Sequence, residues 1–343
     1  MADELTSILV IILIILAISL AFSIGANDET LSSLVGAGVL KFKVALLIGG
    51  IAIGVGMFSF SFAFVAKTVG ADLLGEGLTY TDFMLLTVLI SSIVWLVIGS
   101  FAGIPLSSTH ALIGSIVGVV IAYSFSQGGV NPETAFNWVK LNNVILSWFL
   151  SPLFGLIITF LLFKIISKTY LSHLKGLNQI EKSEKYFKWL LLIVVIFAEI
   201  WVGANSGEAL GILYGLFNKG SLNIEQYLFF AFICGIFASL GIYIAARYVI
   251  RNLASQMIDS RPSEGLIIQL SSALILMIAT LLSLPISHSH VIVFCIIGMS
   301  LSQKKEVNYK ELGKMGVYWV LTFPIAALLA GCIYFGFNLF GIT

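Results

Sequence analysis

Apolar runs of about twenty residues, broken by short polar stretches, repeat down the whole chain. A helix needs roughly 20 apolar residues to cross a bilayer's hydrocarbon core. On that rule crossings fall near 5–25, 44–66, 83–104, 105–125 and 141–163, then near 189–206, 227–246, 265–284, 285–302 and 315–341. A polar stretch at 164–188 separates the two sets. The segments Glu29–Leu40 and Ala209–Phe217 are too short to span. They predict half-helices or re-entrant pieces, whose free ends only protein or water can cover. The pattern predicts an all-α polytopic membrane protein of about 10–12 membrane segments, some of them broken or re-entrant.

Charge orients these spans. With the N-terminus outside, the inner loops 41–43, 164–188, 247–264 and 303–314 carry fifteen of the eighteen Lys and Arg residues, leaving only Lys67, Lys140 and Lys219 outside. Positive charge concentrates in short cytoplasmic loops, so both termini are expected outside and the linker inside. Asp3 and Glu4 precede the first apolar run, whereas a signal peptide begins with basic residues, so that run is expected to be a retained span.

Composition narrows the class further. At 59% hydrophobic and 10% charged residues the chain is no soluble globular protein; its solvent is membrane lipid, and the cell membrane is its expected place. A net charge of +1 gives nucleic acid nothing to bind. Cys234, Cys295 and Cys332 lie in apolar runs and read as small hydrophobes.

The two sets of crossings are related. Gly25-Ala26-Asn27 recurs as Gly203-Ala204-Asn205, 178 residues on. Pro105-Leu106-Ser107-Ser108-Thr109-His110 recurs as Pro285-Ile286-Ser287-His288-Ser289-His290, 180 residues on. Trp148 and Pro152 are echoed more weakly by Trp319 and Pro324. An odd number of crossings followed by its own repeat is the pattern of inverted repeats with a site at their interface. The expected division is 1–163, a basic linker at 164–188, and 189–343.

The repeated motifs hold the polar chemistry of the membrane interior. Its acids are Asp28, Glu29, Glu199 and Glu208, and its histidines His110, His288 and His290. Acids at membrane depth usually face a partner, an ion or water. Glu29 points away from Asp28 on any helical continuation, and Glu199 reads as structural or as part of a proton route. Each Pro-Xaa-Ser motif suits a helix start, with proline in the first turn and a hydroxyl at the cap. Such a start aims free N–H groups and a positive dipole end at whatever lies in front. Two of them, one from each half, can hold an oxyanion without Arg or Lys, especially with a cation bound alongside. A simple proline kink, and buried hydrogen-bonding roles for His110 and His290, fit the same residues.

At these motifs the chain resembles the PiT family of inorganic phosphate transporters, which also includes sulfate permeases. Gly25–Asp28 matches that family's Gly-Ala-Asn-Asp signature, and Gly103-Ile104-Pro105-Leu106-Ser107-Ser108-Thr109-His110 its Gly-Xaa-Pro-Xaa-Ser-Thr-Thr-His motif with one change. The resemblance implies a duplicated, inverted-repeat secondary importer, often a homodimer. Phosphate would lie between the halves, driven by symport with sodium or protons, with no other cofactor and no enzymatic activity. It makes Asn27, Asp28, Ser107, Ser108, Thr109, Asn205, Ser287, His288 and Ser289 substrate ligands. Asn27, Asp28, Asn205, Ser206 and Glu208 become sodium ligands. Two departures stand out. Ser206 replaces the second signature's Asp, with Glu208 two residues on, and His288 replaces a Thr. Sulfate transport is the nearest alternative. A remote one is an intramembrane serine hydrolase pairing Ser107 or Ser289 with a histidine.

Overall fold

The computed structural model describes residues 2–62, 64–101, 106–126, 131–247, 250, 261–307 and 309–341. Gly103, Ile104 and Pro105 of the first Pro-Ser motif, and most of the inner loop 247–264, lie outside the described residues. The first half contains α1 (Ala2–Ala26), α2 (Ser32–Gly36), α3 (Phe42–Ser59), α4 (Phe64–Lys67), α5 (Asp82–Phe101), α6 (Ser108–Ser126) and α7 (Trp138–Thr169). The second contains α8 (Leu177–Asn205), α9 (Gly207–Asn218), α10 (Ile224–Ile244), α11 (Pro262–Leu281), α12 (His288–Ser302) and α13 (Tyr309–Leu339). Among the described residues, eight stretches are long and apolar enough to cross a membrane, and the shorter apolar helices Asp82–Ile98 and His288–Ser302 lie where the other two crossings are expected.

Three boundaries differ from expectation, each for a local reason. The crossing drawn at 44–66 ends at Ser59; Phe64 then takes a positive φ of 56°, and a separate short helix continues into a π turn at Thr68–Asp72. Only Ser32–Gly36 of the 29–40 segment is helical, because Gly38 turns the chain at φ 60°. The linker is mostly not loop. Its Lys- and Glu-rich ends are good helix formers, so α7 runs out to Thr169 and α8 begins at Leu177, with the turn made at Gly176 (φ 89°).

Extensive packing joins helices of the two halves, α1 on α10, α3 on α8 and α10, α6 on α13 and α12 on α7, while α8 also packs broadly on α11 of its own half. Glycine sets these approaches. A Cβ at Gly25 would overlap the Ala238 carbonyl of α10, and one at Gly203 would overlap the Ile53 carbonyl of α3. The same contacts run in reverse from Gly241 to Phe22 and from Gly56 to Ile200. In lipid there is little hydrophobic drive between helices, so small residues that bring backbones together supply the dispersion contact. The glycine that opens each Gly-Ala-Asn signature therefore has a packing role. It seats the helix end that carries the polar residues. The apolar outer faces of α7 and α13, including Phe149, Leu153, Val320 and Leu328, stay exposed, as lipid-facing surfaces must.

Candidate functional site

Both signatures end a helix inside the bundle. α1 stops at Ala26 because the Asp28 carboxylate takes over the next turn. Its Oδ1 accepts from the Thr30 backbone N–H at 2.9 Å and from the Thr30 hydroxyl at 2.7 Å. Local side-chain bonds of this kind compete directly with helix continuation. Asp28 is only 5% exposed, and it shares a side-chain hydrogen bond with the fully buried Glu199 of α8. The turn is anchored from α11, where buried Gln269 donates Nε2 to the Thr30 carbonyl (3.0 Å) and to Ser33 Oγ (3.1 Å). Asn27 is exposed and donates Nδ2 back to the Ser23 carbonyl at 3.0 Å.

The second signature breaks α8 at Ser206, and α9 starts at once at Gly207. Asn205 is fully engaged: Nδ2 donates to Thr280 Oγ1 (2.9 Å) and to the Leu284 carbonyl (3.1 Å), while Oδ1 accepts from the Ile286 N–H (3.0 Å). Ser206 Oγ donates to the Val202 carbonyl at 2.7 Å. Glu208 reaches across to the other half. Its Oε1 accepts from Ser108 Oγ (2.8 Å) and Thr109 Oγ1 (2.9 Å), and its buried Oε2 is left without a partner.

Both Pro-Ser motifs open helices, as expected. Ser107 caps α6, its Oγ accepting from the His110 N–H at 3.3 Å. Ser287 precedes α12 in extended conformation and is buried. His288 Nδ1 lies 3.6 Å from Glu29 Oε1, and the Ser289 hydroxyl sits beside the same carboxylate. Each half's signature acid thus meets the other half's motif: Glu208 with Ser108 and Thr109, Glu29 with His288 and Ser289.

Behind this centre the two remaining histidines form an aromatic stack. His110 lies on Trp148 (4.0 Å between centroids) and His290 on Trp319 (3.9 Å), while the two imidazoles meet edge to face at 4.7 Å. Trp148 Nε1 donates to the Pro285 carbonyl at 3.0 Å, tying α7 to the second motif. The helix starts of α6 and α12 are thereby held against each other.

One expectation is corrected here. The chain turns after Asp28, so Glu29 does not point away; one ligand atom each from Asp28, Glu29 and His288 lies within 4.8 Å of the others. The sequence carries a signal for Glu29 that motif matching passes over. Glu29 and Glu208 are 179 residues apart, almost the motif offset. Gln269 and Thr280, which fasten the two signatures to α11, belong to no motif and leave no comparable trace.

Interrupted helices, buried acids without cationic partners and paired helix starts define a polytopic membrane protein with a polar centre enclosed by its two halves. Comparison with known proteins gives the family. A sequence profile described as "Phosphate transporter family" matches residues 24–330, and the chain belongs to that family. It is 27% identical over 346 residues to the "Probable low-affinity inorganic phosphate transporter" of Bacillus subtilis (strain 168), covering 98% of this chain and 99% of that one. A protein of the same description from Rhizobium meliloti (strain 1021) is 27% identical over 283 residues, or 80% of each chain. The fold matches a solved structure described as "The sodium-dependent phosphate transporter" with a TM-score of 0.81, 22% identity, and coverage of 96% of this chain and 99% of that one. The family is one of transporters, which removes the serine hydrolase reading.

Proposed function

We propose that the protein is a secondary importer that takes up inorganic phosphate together with sodium, binding both at the polar centre between two inverted repeats. The observation that carries this reading is the crossed pairing of acids and motifs. Glu208 of the second half stands on Ser108 and Thr109 of the first, and Glu29 of the first stands on His288 of the second. An anion seated there touches both halves at once, so its binding can report on their relative position.

A co-bound cation would offset the acids of the site. No Lys or Arg occurs in 1–40, 68–139, 189–218 or 262–303, which hold the whole site. Asp28, Glu29, Glu199 and Glu208 all lie there, and two like charges about 4 Å apart repel by roughly 4 kcal/mol at an effective dielectric near 20. A cation entering with the anion relieves that repulsion. Sodium, a hard ion that takes oxygen ligands, would use Asp28 and the unpartnered Glu208 Oε2. The solved relative is described as sodium-dependent, which supports sodium over protons as the coupling ion. The hydroxyls of Ser107, Ser108, Thr109, Ser287 and Ser289, and the starts of α6 and α12, would receive phosphate oxygens, with Asn27 lining the approach. Asn205 and Ser206 are already bonded to protein, so their role in this reading is to position the 280–286 segment and the break before α9.

Phosphate fits these acids better than sulfate. Hydrogen phosphate can donate its own hydrogen to an open carboxylate oxygen, and sulfate has none to give. Purified protein in liposomes should accumulate labelled phosphate under an imposed sodium gradient, and excess unlabelled sulfate should compete poorly. Absence of uptake under sodium and proton gradients alike would overturn the reading.

A further inference from the structure

The far end of α7 carries cations that nothing in the protein answers. Between Glu133 and Glu181 the sequence has no acidic residue, so Lys164 and Lys168 share one face of α7, a turn apart, with no carboxylate on their own helix. Like charges so placed repel. Among the described residues no acid stands within ion-pair distance of either lysine. Nearby acids are engaged elsewhere: Glu184 with Ser263, and Glu264 with Gln303 and Lys305. Lys168 lies in the last turn of α7, where the negative end of the helix dipole alone would favour it. Lys164 lies a full turn deeper, beside the exposed Leu161 and Ile165, and its Nζ rests over the Phe160 ring at 5.2 Å.

A cavity opens at these lysines. α7 and α12 press together where a Cβ at Gly298 would overlap the Leu156 carbonyl, but α12 ends at Ser302 while α7 runs on to Thr169. The space of about 510 Å³ there is lined by Lys164, Ser167 and Lys168 of α7, Ser172 just beyond it and Ser302 of α12, with Ile165 as an apolar wall. That volume falls in the ~300–1,000 Å³ range of small-molecule sites. The Ser167 hydroxyl has no hydrogen-bond partner among the described residues. Tyr170, Tyr186 and Trp189 are exposed at the same end, and exposed aromatic residues of this kind mark the headgroup level of a bilayer. A cationic cavity at that depth, open beside lipid-facing residues, fits an anion that arrives on acyl chains.

We propose that this cavity holds the phosphate headgroup of an anionic phospholipid. Lys164 and Lys168 pair with the phosphate, the Ser167 hydroxyl donates to it, and the acyl chains lie along Leu161 and Ile165. The lipid fills the fork between α7 and α12. A zwitterionic headgroup brings its own cation against the lysines, so the site selects a lipid of net negative charge. It is separate from the polar centre: Lys164 lies sixteen residues, about 24 Å of helix, beyond Trp148.

The test is native mass spectrometry of the purified full chain in detergent, with phosphatidylglycerol and phosphatidylcholine of identical chains added in turn. The first phosphatidylglycerol should bind at least tenfold more tightly than phosphatidylcholine. Lys164→Gln combined with Lys168→Gln should abolish that preference. Lys182→Gln combined with Lys185→Gln removes the same charge from exposed positions of α8 and should leave the preference intact. Millimolar inorganic phosphate should not displace the lipid. Size exclusion checks each fold, and Lys164→Met with Lys168→Met replaces the glutamine pair if that pair misfolds. Equal binding of the two lipids would overturn the proposal, as would a preference that survives loss of Lys164 and Lys168 or vanishes with Lys182 and Lys185. Displacement by free phosphate would assign the cavity to the soluble anion and overturn it equally. None of these readouts needs sodium or transport, so they stand or fall apart from the uptake experiment.

Discussion

Asn205→Ala separates a positioning role from a ligand role at the second signature. The wild-type amide makes three bonds, of 2.9, 3.1 and 3.0 Å, to Thr280, Leu284 and Ile286. Thr280 Oγ1 keeps its own bond to the Leu276 carbonyl (2.7 Å), so its loss is small. The Leu284 carbonyl and the Ile286 N–H both face Asn205 and lose that partner. An unsatisfied buried polar group costs about 1–3 kcal/mol. Two therefore cost roughly 2–6 kcal/mol, lowered toward the bottom of that range if water fills the space left by the amide. The expected result is a clear fall in apparent melting temperature in detergent. The segment before α12 should also loosen, read by faster thiol labelling of a cysteine placed at Ser283. A melting temperature and labelling rate equal to wild type, with only the sodium affinity reduced, would refute this. Asn205 would then be an ion ligand.

Glu208→Gln keeps an acceptor for Ser108 and Thr109 but removes the charge that strengthens both bonds. Charged hydrogen bonds are about twice as strong as neutral ones, so proteoliposome uptake should fall by roughly tenfold or more with folding intact by size exclusion. Asp28→Asn should retain the Thr30 contacts yet lose the sodium dependence of phosphate uptake, measured as initial rate against sodium concentration. Gly203→Val should prevent assembly, since its side chain would enter the Ile53 carbonyl of α3; aggregation on size exclusion checks it, and a monodisperse, active variant would contradict the packing.

The eight long apolar helices are legible in the sequence because a membrane leaves a coarse signal of length and apolarity. The helix starts at Ser108 and His288 are legible from local rules for capping. What stays hidden depends on tertiary direction. The direction of Glu29 escapes because its neighbour Asp28 ends the helix with a side-chain bond, and the sequence alone does not show which backbone group a carboxylate will take. Asn205 matches a signature, but its occupation by Thr280, Leu284 and Ile286 emerges only once α8 lies against α11. His110 and His290 are buried as expected; both stack on tryptophan, and His110 Nδ1 also lies 3.4 Å from the Trp319 carbonyl.

The glycine contacts between halves also constrain how the chain is made. The glycine-lined faces of α1, α3, α6 and α7 meet their close backbone partners on α10, α8, α13 and α12. A ribosome delivers those partners more than a hundred residues later, after the first-half helices have already entered lipid. Until then the notch at Gly25, the ending of α1 and its acids have no protein cover. Neither half buries these glycine-lined faces by itself, and the nascent chain must hold an unfinished helix end in the bilayer until its complement arrives. Maturation of this protein is therefore a late, whole-chain event, and truncations after residue 163 should be cleared by quality control rather than persist as stable fragments.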